Sequence, residues 1–131
     1  MIVGIGTDIF AVKRLADAAI REEDAFFKRA YTPEEKKVAG TVSGRRAWLA
    51  GRFAAKEAVY KAVSGCGVEF RPGDVCIVTG AGGEPQACLR GKTKARFEQV
   101  YGPDYSIHLS ISHEDEYVTA FAVAEREDER R

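Results

Sequence analysis

The stretch "GRFAAKEAVYKA" (residues 51–62) decides how the chain folds. It reads as the middle of a long helix. At roughly 100° per residue, positions 46–63 put Leu49, Ala50, Phe53, Ala54 and Tyr60 within one arc of about 140°. Trp48, Ala55, Val59 and Val63 form a second apolar arc roughly opposite, so the helix is expected to be covered on two sides. Glu57 falls near the middle of the first arc, and Lys61 sits just inside its edge. Three readings of this pair are open. It is an exposed i,i+4 pair worth about 0.3–0.5 kcal/mol, a buried structural pair, or a carboxylate that holds a cation beside an ammonium.

Working outward, Ser43 is expected to begin this helix and Gly65 to stop it. Upstream, "TPEE" (32–35) predicts a short helix to about Ala39. Thr32 caps it, Pro33 takes the first helical position, Glu35 completes a capping box, and Gly40 closes it. "MIVGIGTDI" predicts a strand over residues 2–7 that ends near Asp8. From about Ala11, Val12, Leu15, Ala16 and Ala19 share a helical face; "REED" interrupts that helix and "AFFKRA" continues it. Downstream, "VCIVTG" and "PQACLR" flank "AGGE" as a hairpin. "TGAGGEP" lacks the GKS/T ending of a phosphate loop and is read as the hairpin turn. "KTKARFEQVYGP" is a helix stopped by Gly102-Pro103, and "SIHLSIS" and "YVTAFAVAE" are strands on either side of "HEDE". The order β-α-α-α-β-β-α-β-β predicts one α+β domain over 1–131, with helices packed on an antiparallel sheet.

Composition narrows the function. The chain has 131 residues, 45% apolar and 31% charged, an ordinary globular mixture with room for one core. Lys+Arg and Asp+Glu are both 20, so bulk charge does not hold it to nucleic acid. No apolar run approaches the roughly 20 residues that span a bilayer. "MIVGIGTDIF" has no basic n-region and an early Asp8, so it does not read as a signal peptide. Cys66, Cys76 and Cys88 form no CxxC, and only two histidines are present, which disfavours zinc. Buried thiols in a reducing cytoplasm are the expectation.

Asp8 is a second acidic candidate, either a helix cap near Ile9 or a ligand. Two carboxylates without clustered His or Cys select a hard, oxygen-seeking ion. Mg²⁺ fits when phosphate oxygens and water complete its octahedron. The physical reading is Mg²⁺ plus a phosphorylated substrate, provided Asp8 and Glu57 meet in space.

"GIGTDI" (4–9), "GRFAAKEAVYKA" (51–62) and "LSISHEDEYVTAFAV" (109–123) resemble the three signature segments of the holo-acyl-carrier-protein synthases, bacterial phosphopantetheinyl transferases, in order, spacing and chain length. The resemblance implies a 4′-phosphopantetheinyl transferase-like fold. It also implies transfer of the phosphopantetheine arm from coenzyme A to a serine of an acyl carrier protein, leaving adenosine 3′,5′-bisphosphate, as in fatty acid biosynthesis. It implies Asp8 and Glu57 as metal ligands and a homotrimer with active sites between subunits. Lys61, one turn beyond Glu57, would reach a phosphate oxygen, and Glu57 or a metal-bound water would accept the serine proton.

His113 matches the family's SxSH segment and is assigned to a coenzyme A phosphate, with Ser112 as a weaker neighbour. Arg52 matches "GRF", and Arg45 and Arg46 lie at the helix start; one of the three could meet the 3′-phosphate. Arg14, Arg21 and Lys28 recur every seven residues. On a continuous helix they would form a basic stripe for docking an acidic carrier protein, although Glu22, Glu23 and Asp24 dilute it. Two alternatives stand beside this reading. One is a transferase dedicated to polyketide or peptide carriers; the other is a catalytically silent trimer of the same fold that binds metal or nucleotide.

Overall fold

Two glycines in the first strand set how the layers meet. The computed structural model describes residues 1–15, 21 and 24–127. Strand β1 (Ile2–Ala11) crosses helix α3 (Arg45–Val63) so closely that a Cβ on Gly4 would lie 1.7 Å from the Ala62 carbonyl oxygen. A Cβ on Gly6 would lie 1.8 Å from that of Ala58. Only residues without a side chain permit this contact. The strand runs on to Ala11 rather than ending near Asp8, because β5 (Tyr117–Arg126) pairs with it antiparallel along that length; Asp8 is opposite Ala120. Asp8 is therefore a mid-strand residue and not a helix cap.

The helical region after β1 also differs from expectation. Val12–Arg14 form a 3₁₀ turn, and α1 (Ala25–Ala30) is a new helix. The Asp24 carboxylate accepts from the Phe26 and Phe27 amides, a bond available only at a helix start. Ala16 and Ala19, and with them Glu22 and Glu23, lie outside the described residues. Helix α2 (Pro33–Ala39) has the capping box expected of Thr32 and Glu35. Helix α3 starts at Arg45 rather than Ser43, because Gly44 stands between them in a left-handed conformation (φ 64°). It passes through a 3₁₀ turn at Ser64–Cys66 and stops at Gly67 (φ 86°), not at Gly65.

Strands β2 (Val75–Thr79) and β3 (Pro85–Leu89) form the expected hairpin as a separate two-stranded sheet. Helix α4 (Gly91–Tyr101) ends at Gly102, and β4 (Tyr105–His113) pairs with β5 to give the three-stranded order β1-β5-β4. The element order is thus the predicted β-α-α-α-β-β-α-β-β. The core lies between α3 and this sheet. Ala50, Ala54, Ala58 and Ala62 form an i,i+4 row on α3, and Ala120, Ala122 and Ala124 line β5, all buried. Small side chains on both layers let the helix sit low on the sheet. Cys66 and Cys76 are buried as expected, but Cys88 is exposed because β3 turns it away from the core. No helix among the described residues is long and apolar enough to cross a membrane.

Candidate active site

The close crossing brings Asp8 to Glu57. Gly4, Gly6, Asp8 and Phe10 alternate onto the face of β1 that meets α3. Gly6 lies over Ala58, and the Phe10 ring meets that of Phe53 at 5.5 Å between centroids. Asp8 falls between these two contacts, the stretch of α3 that carries Glu57. The two carboxyls feel each other. Burial first, and Asp8 second, raise the Glu57 carboxyl above its ordinary value, against the pull of Lys61 and Arg14.

Lys61 does not bridge to Glu57. It reaches across to β1, where its Nζ donates to the Thr7 carbonyl at 2.9 Å and stands 3.4 Å from Asp8 Oδ1. Its side chain is 50% exposed, whereas that of Asp8 is 11% exposed. The second Asp8 oxygen, Oδ2, is buried and has no hydrogen-bond partner in the protein. A buried, unpaired carboxylate oxygen on a group that already repels a second carboxylate is a costly arrangement unless something positive fills it. Among the described residues no cluster of three or more His, Cys, Asp or Glu exists. Two oxygen ligands, with the rest from water and phosphate, suit Mg²⁺ rather than zinc or a caged Ca²⁺. The donor set fits.

His113 is on the same helix-facing side of the sheet, opposite Val118, which is itself opposite Phe10. Its Nε2 packs over Gly51, where a Cβ would lie only 2.6 Å away. Gly51 is six residues before Glu57, about 9 Å of helix rise. Ser112 alternates to the opposite face, away from α3. Arg52 is buried; it stacks 4.4 Å from the centre of the Trp48 ring and donates to Thr79 Oγ1 at 2.9 Å. Arg45, seven residues earlier on the same side, stacks on Phe27. Both point away from Lys61, which is half a turn round the helix from Arg52. Arg46 lines a cavity of about 230 Å³ with Val12, Lys13, Asp115 and Glu116.

The chain therefore brings Asp8, Glu57 and Lys61 together, and does not bring Arg45, Arg52, Ser112 or His113 to them. Arg14 does join them at the rim. Its guanidinium stacks 4.6 Å from the Phe10 ring centre, and its charge reaches Glu57. The seven-residue stripe fails as a single helical face. Arg14 belongs to the 3₁₀ turn and Lys28 to a helix newly begun at Ala25, with exposed Arg21 between them.

Sequence reasoning passed over Lys56. This residue is fully buried and its Nζ lies 2.7 Å from Glu35 Oε1, also fully buried. The sequence pattern marks Glu35 only as a capping residue. The signal available was its place on the wheel: Lys56 is seven residues from both Leu49 and Val63, about 20° from each, between the two apolar arcs.

Comparison with known proteins places this chain in a family. A profile of the 4′-phosphopantetheinyl transferase superfamily matches residues 4–122. A holo-[acyl-carrier-protein] synthase of Clostridium kluyveri is 39% identical over 127 residues, 95% of this chain and 91% of the relative. The crystal structure of the holo-[acyl-carrier-protein] synthase from Neisseria meningitidis superposes with a TM-score of 0.81 at 37% identity, over 96% of this chain and all of that one. The Bacillus anthracis synthase, in complex with CoA (3′,5′-ADP), superposes with a TM-score of 0.74 at 33% identity, over 97% of this chain and 99% of that one. The chain belongs to the 4′-phosphopantetheinyl transferase superfamily and, within it, to the holo-[acyl-carrier-protein] synthases.

Proposed function

We propose that this chain transfers the 4′-phosphopantetheine arm of coenzyme A to a serine hydroxyl of an apo acyl carrier protein, releasing adenosine 3′,5′-bisphosphate. The observation that carries the reading is the meeting of Asp8, Glu57 and Lys61, with Asp8 Oδ2 left unpaired. Asp8 and Glu57 would hold Mg²⁺, which when bound neutralises the pyrophosphate and polarises the phosphorus under attack. Lys61 donates to a phosphate oxygen and stabilises charge gathering on the departing nucleotide. Glu57 or a metal-bound water takes the serine proton.

His113, Arg52 and Arg45 serve the nucleotide phosphates, and Ser112 is a lesser contact at the same strand end. Their separation from Asp8 within one chain supports a site completed by a neighbouring subunit. The outer face of the sheet supports the same assembly: Ile5, Ile9, Tyr117 and Phe121 are 47–63% exposed there. A homotrimer with sites between subunits accommodates both facts. Arg14, beside Glu57, meets an acidic carrier near its reactive serine, with Arg21 and Lys28 farther out. The reading puts the enzyme in the cytoplasm, where thiols such as Cys88 stay reduced.

The test is an incubation of the protein with apo carrier protein, coenzyme A and Mg²⁺, followed by mass spectrometry of the carrier. A phosphopantetheine adduct that disappears with a chelator is the expected result. No adduct on any of several carriers would leave a silent relative as the better description.

A further inference from the structure

Helix α3 carries two charged residues side by side, and they face different worlds. Glu57 lies on the side of α3 that feels Asp8 of β1. Lys56, about 100° round the helix, is sealed in the interior. Its ammonium has three donors, and three acceptors converge on it: Glu35 Oε1 at 2.7 Å, the Pro72 carbonyl at 2.8 Å and the Val75 carbonyl. Glu35 is equally occupied. Its Oε1 also accepts from the Thr32 amide at 2.8 Å, and its Oε2 from the Ile77 amide at 2.6 Å. Ile77 has that amide to spare. Arg90 N donates to Asp74 O, and Gly80 N to Glu84 O, so alternation along the hairpin turns Ile77 N away from β3.

One side chain of α3 is thus tied to the start of α2, to the turn before β2 and to β2 itself. Such a tie resists rotation of α3 about its axis. Rotation matters most at Glu57. The Gly4 and Gly6 crossings hold one side of the helix down on β1, and the Lys56 tie anchors it on another side. A turn about the axis would swing a long carboxylate away from Asp8. A buried ion pair is a poor way to gain stability, since well-packed apolar residues often do as well. It is a good way to fix one register.

We propose that Lys56 and Glu35 are positioning residues for the metal and phosphate site, locking the rotation of α3 that aims Glu57 at Asp8. This rests on the metal reading of Asp8 and Glu57. The experiment uses the full chain and Mn²⁺ alone, with free Mn²⁺ counted by electron paramagnetic resonance, beside thermal unfolding and steady-state kinetics. The double variant Lys56→Met/Glu35→Gln removes both charges together. It is expected to stay folded, to bind Mn²⁺ about 10-fold more weakly, the scale of outer-shell losses in metal sites, and to lose kcat while the carrier-protein KM holds. Lys56→Arg, which keeps the charge, is expected to fall between the double variant and the parent.

Mn²⁺ affinity within about 2-fold of the parent in a folded double variant overturns the proposal. So does failure of both variants to fold, which would make the pair a requirement of the fold and not of the site. A parent protein that binds no Mn²⁺ removes the metal reading itself, a result distinct from equal binding by parent and variant.

Discussion

The two charged clusters on α3 differ in one respect. At Lys56–Glu35 every hydrogen of the ammonium and both oxygens of the carboxylate are engaged by protein. At Asp8–Glu57–Lys61 one oxygen of Asp8 has no protein partner, two like charges face each other, and the lysine is half in water. The first cluster is closed; the second is complete only with something added. Burial alone would have pointed to the wrong pair, since the deeper charges are the finished ones. Between these two clusters, unmet hydrogen-bonding capacity and not depth marks the reactive one.

The contrast breaks most easily at Glu57. Glu57→Gln keeps the volume and deletes the charge, and should cut turnover by well over the roughly 10–100-fold typical of outer-shell changes. Its midpoint in urea should hardly move. A rate near that of the parent would mean Glu57 is no ligand. Glu35→Gln should do the reverse, costing about 3–5 kcal/mol in denaturant titrations by leaving Lys56 buried without its counter-charge. A loss below about 1 kcal/mol would show the closed pair to be slack. Arg14→Glu tests the rim. The carrier-protein KM should rise about 10-fold at low salt, with that for coenzyme A changed far less; an equal rise in both would move docking elsewhere.

The smallest effect is expected at Glu34, next in the chain to Glu35 but on the surface. Its hydrogen bonds to Arg90 lower its carboxyl from 4.5 to about 2. A carboxyl with a depressed folded pKa favours the folded state above 4.5 and loses that support as pH falls toward 2. Glu34→Gln should therefore flatten the thermal-stability profile slightly across that window, and added salt should erase the difference. A slope identical to the parent's at low salt would count the ion pair as inert.

Patterns confined to a few neighbours were legible before any coordinates. The Thr32–Glu35 capping box, the hairpin around Gly80–Glu84 and the alternation along β4 each depend on residues close in the chain. Asp8 was legible as a ligand candidate but not as a strand residue, because β5, more than 100 positions later, supplies the pairing that carries β1 to Ala11. Lys56 was hidden for a similar reason. A helical wheel shows Glu57 and Lys61 as an i,i+4 pair and draws the eye there, while the partner that justifies Lys56 comes from α2. The basic stripe failed because equal spacing means a shared face only on an unbroken helix, and Asp24 starts a new one.

Gly4 and Gly6 carry a consequence for anyone who would transplant this site. The gap between the two acids is set by main chain resting on main chain, with no side chain in between to trim or lengthen. Restoring one methyl group at either position would jack the first strand away from the helix, and no choice of rotamer at Asp8 could recover the lost reach. A borrowed site would have to import that bare crossing along with its acids.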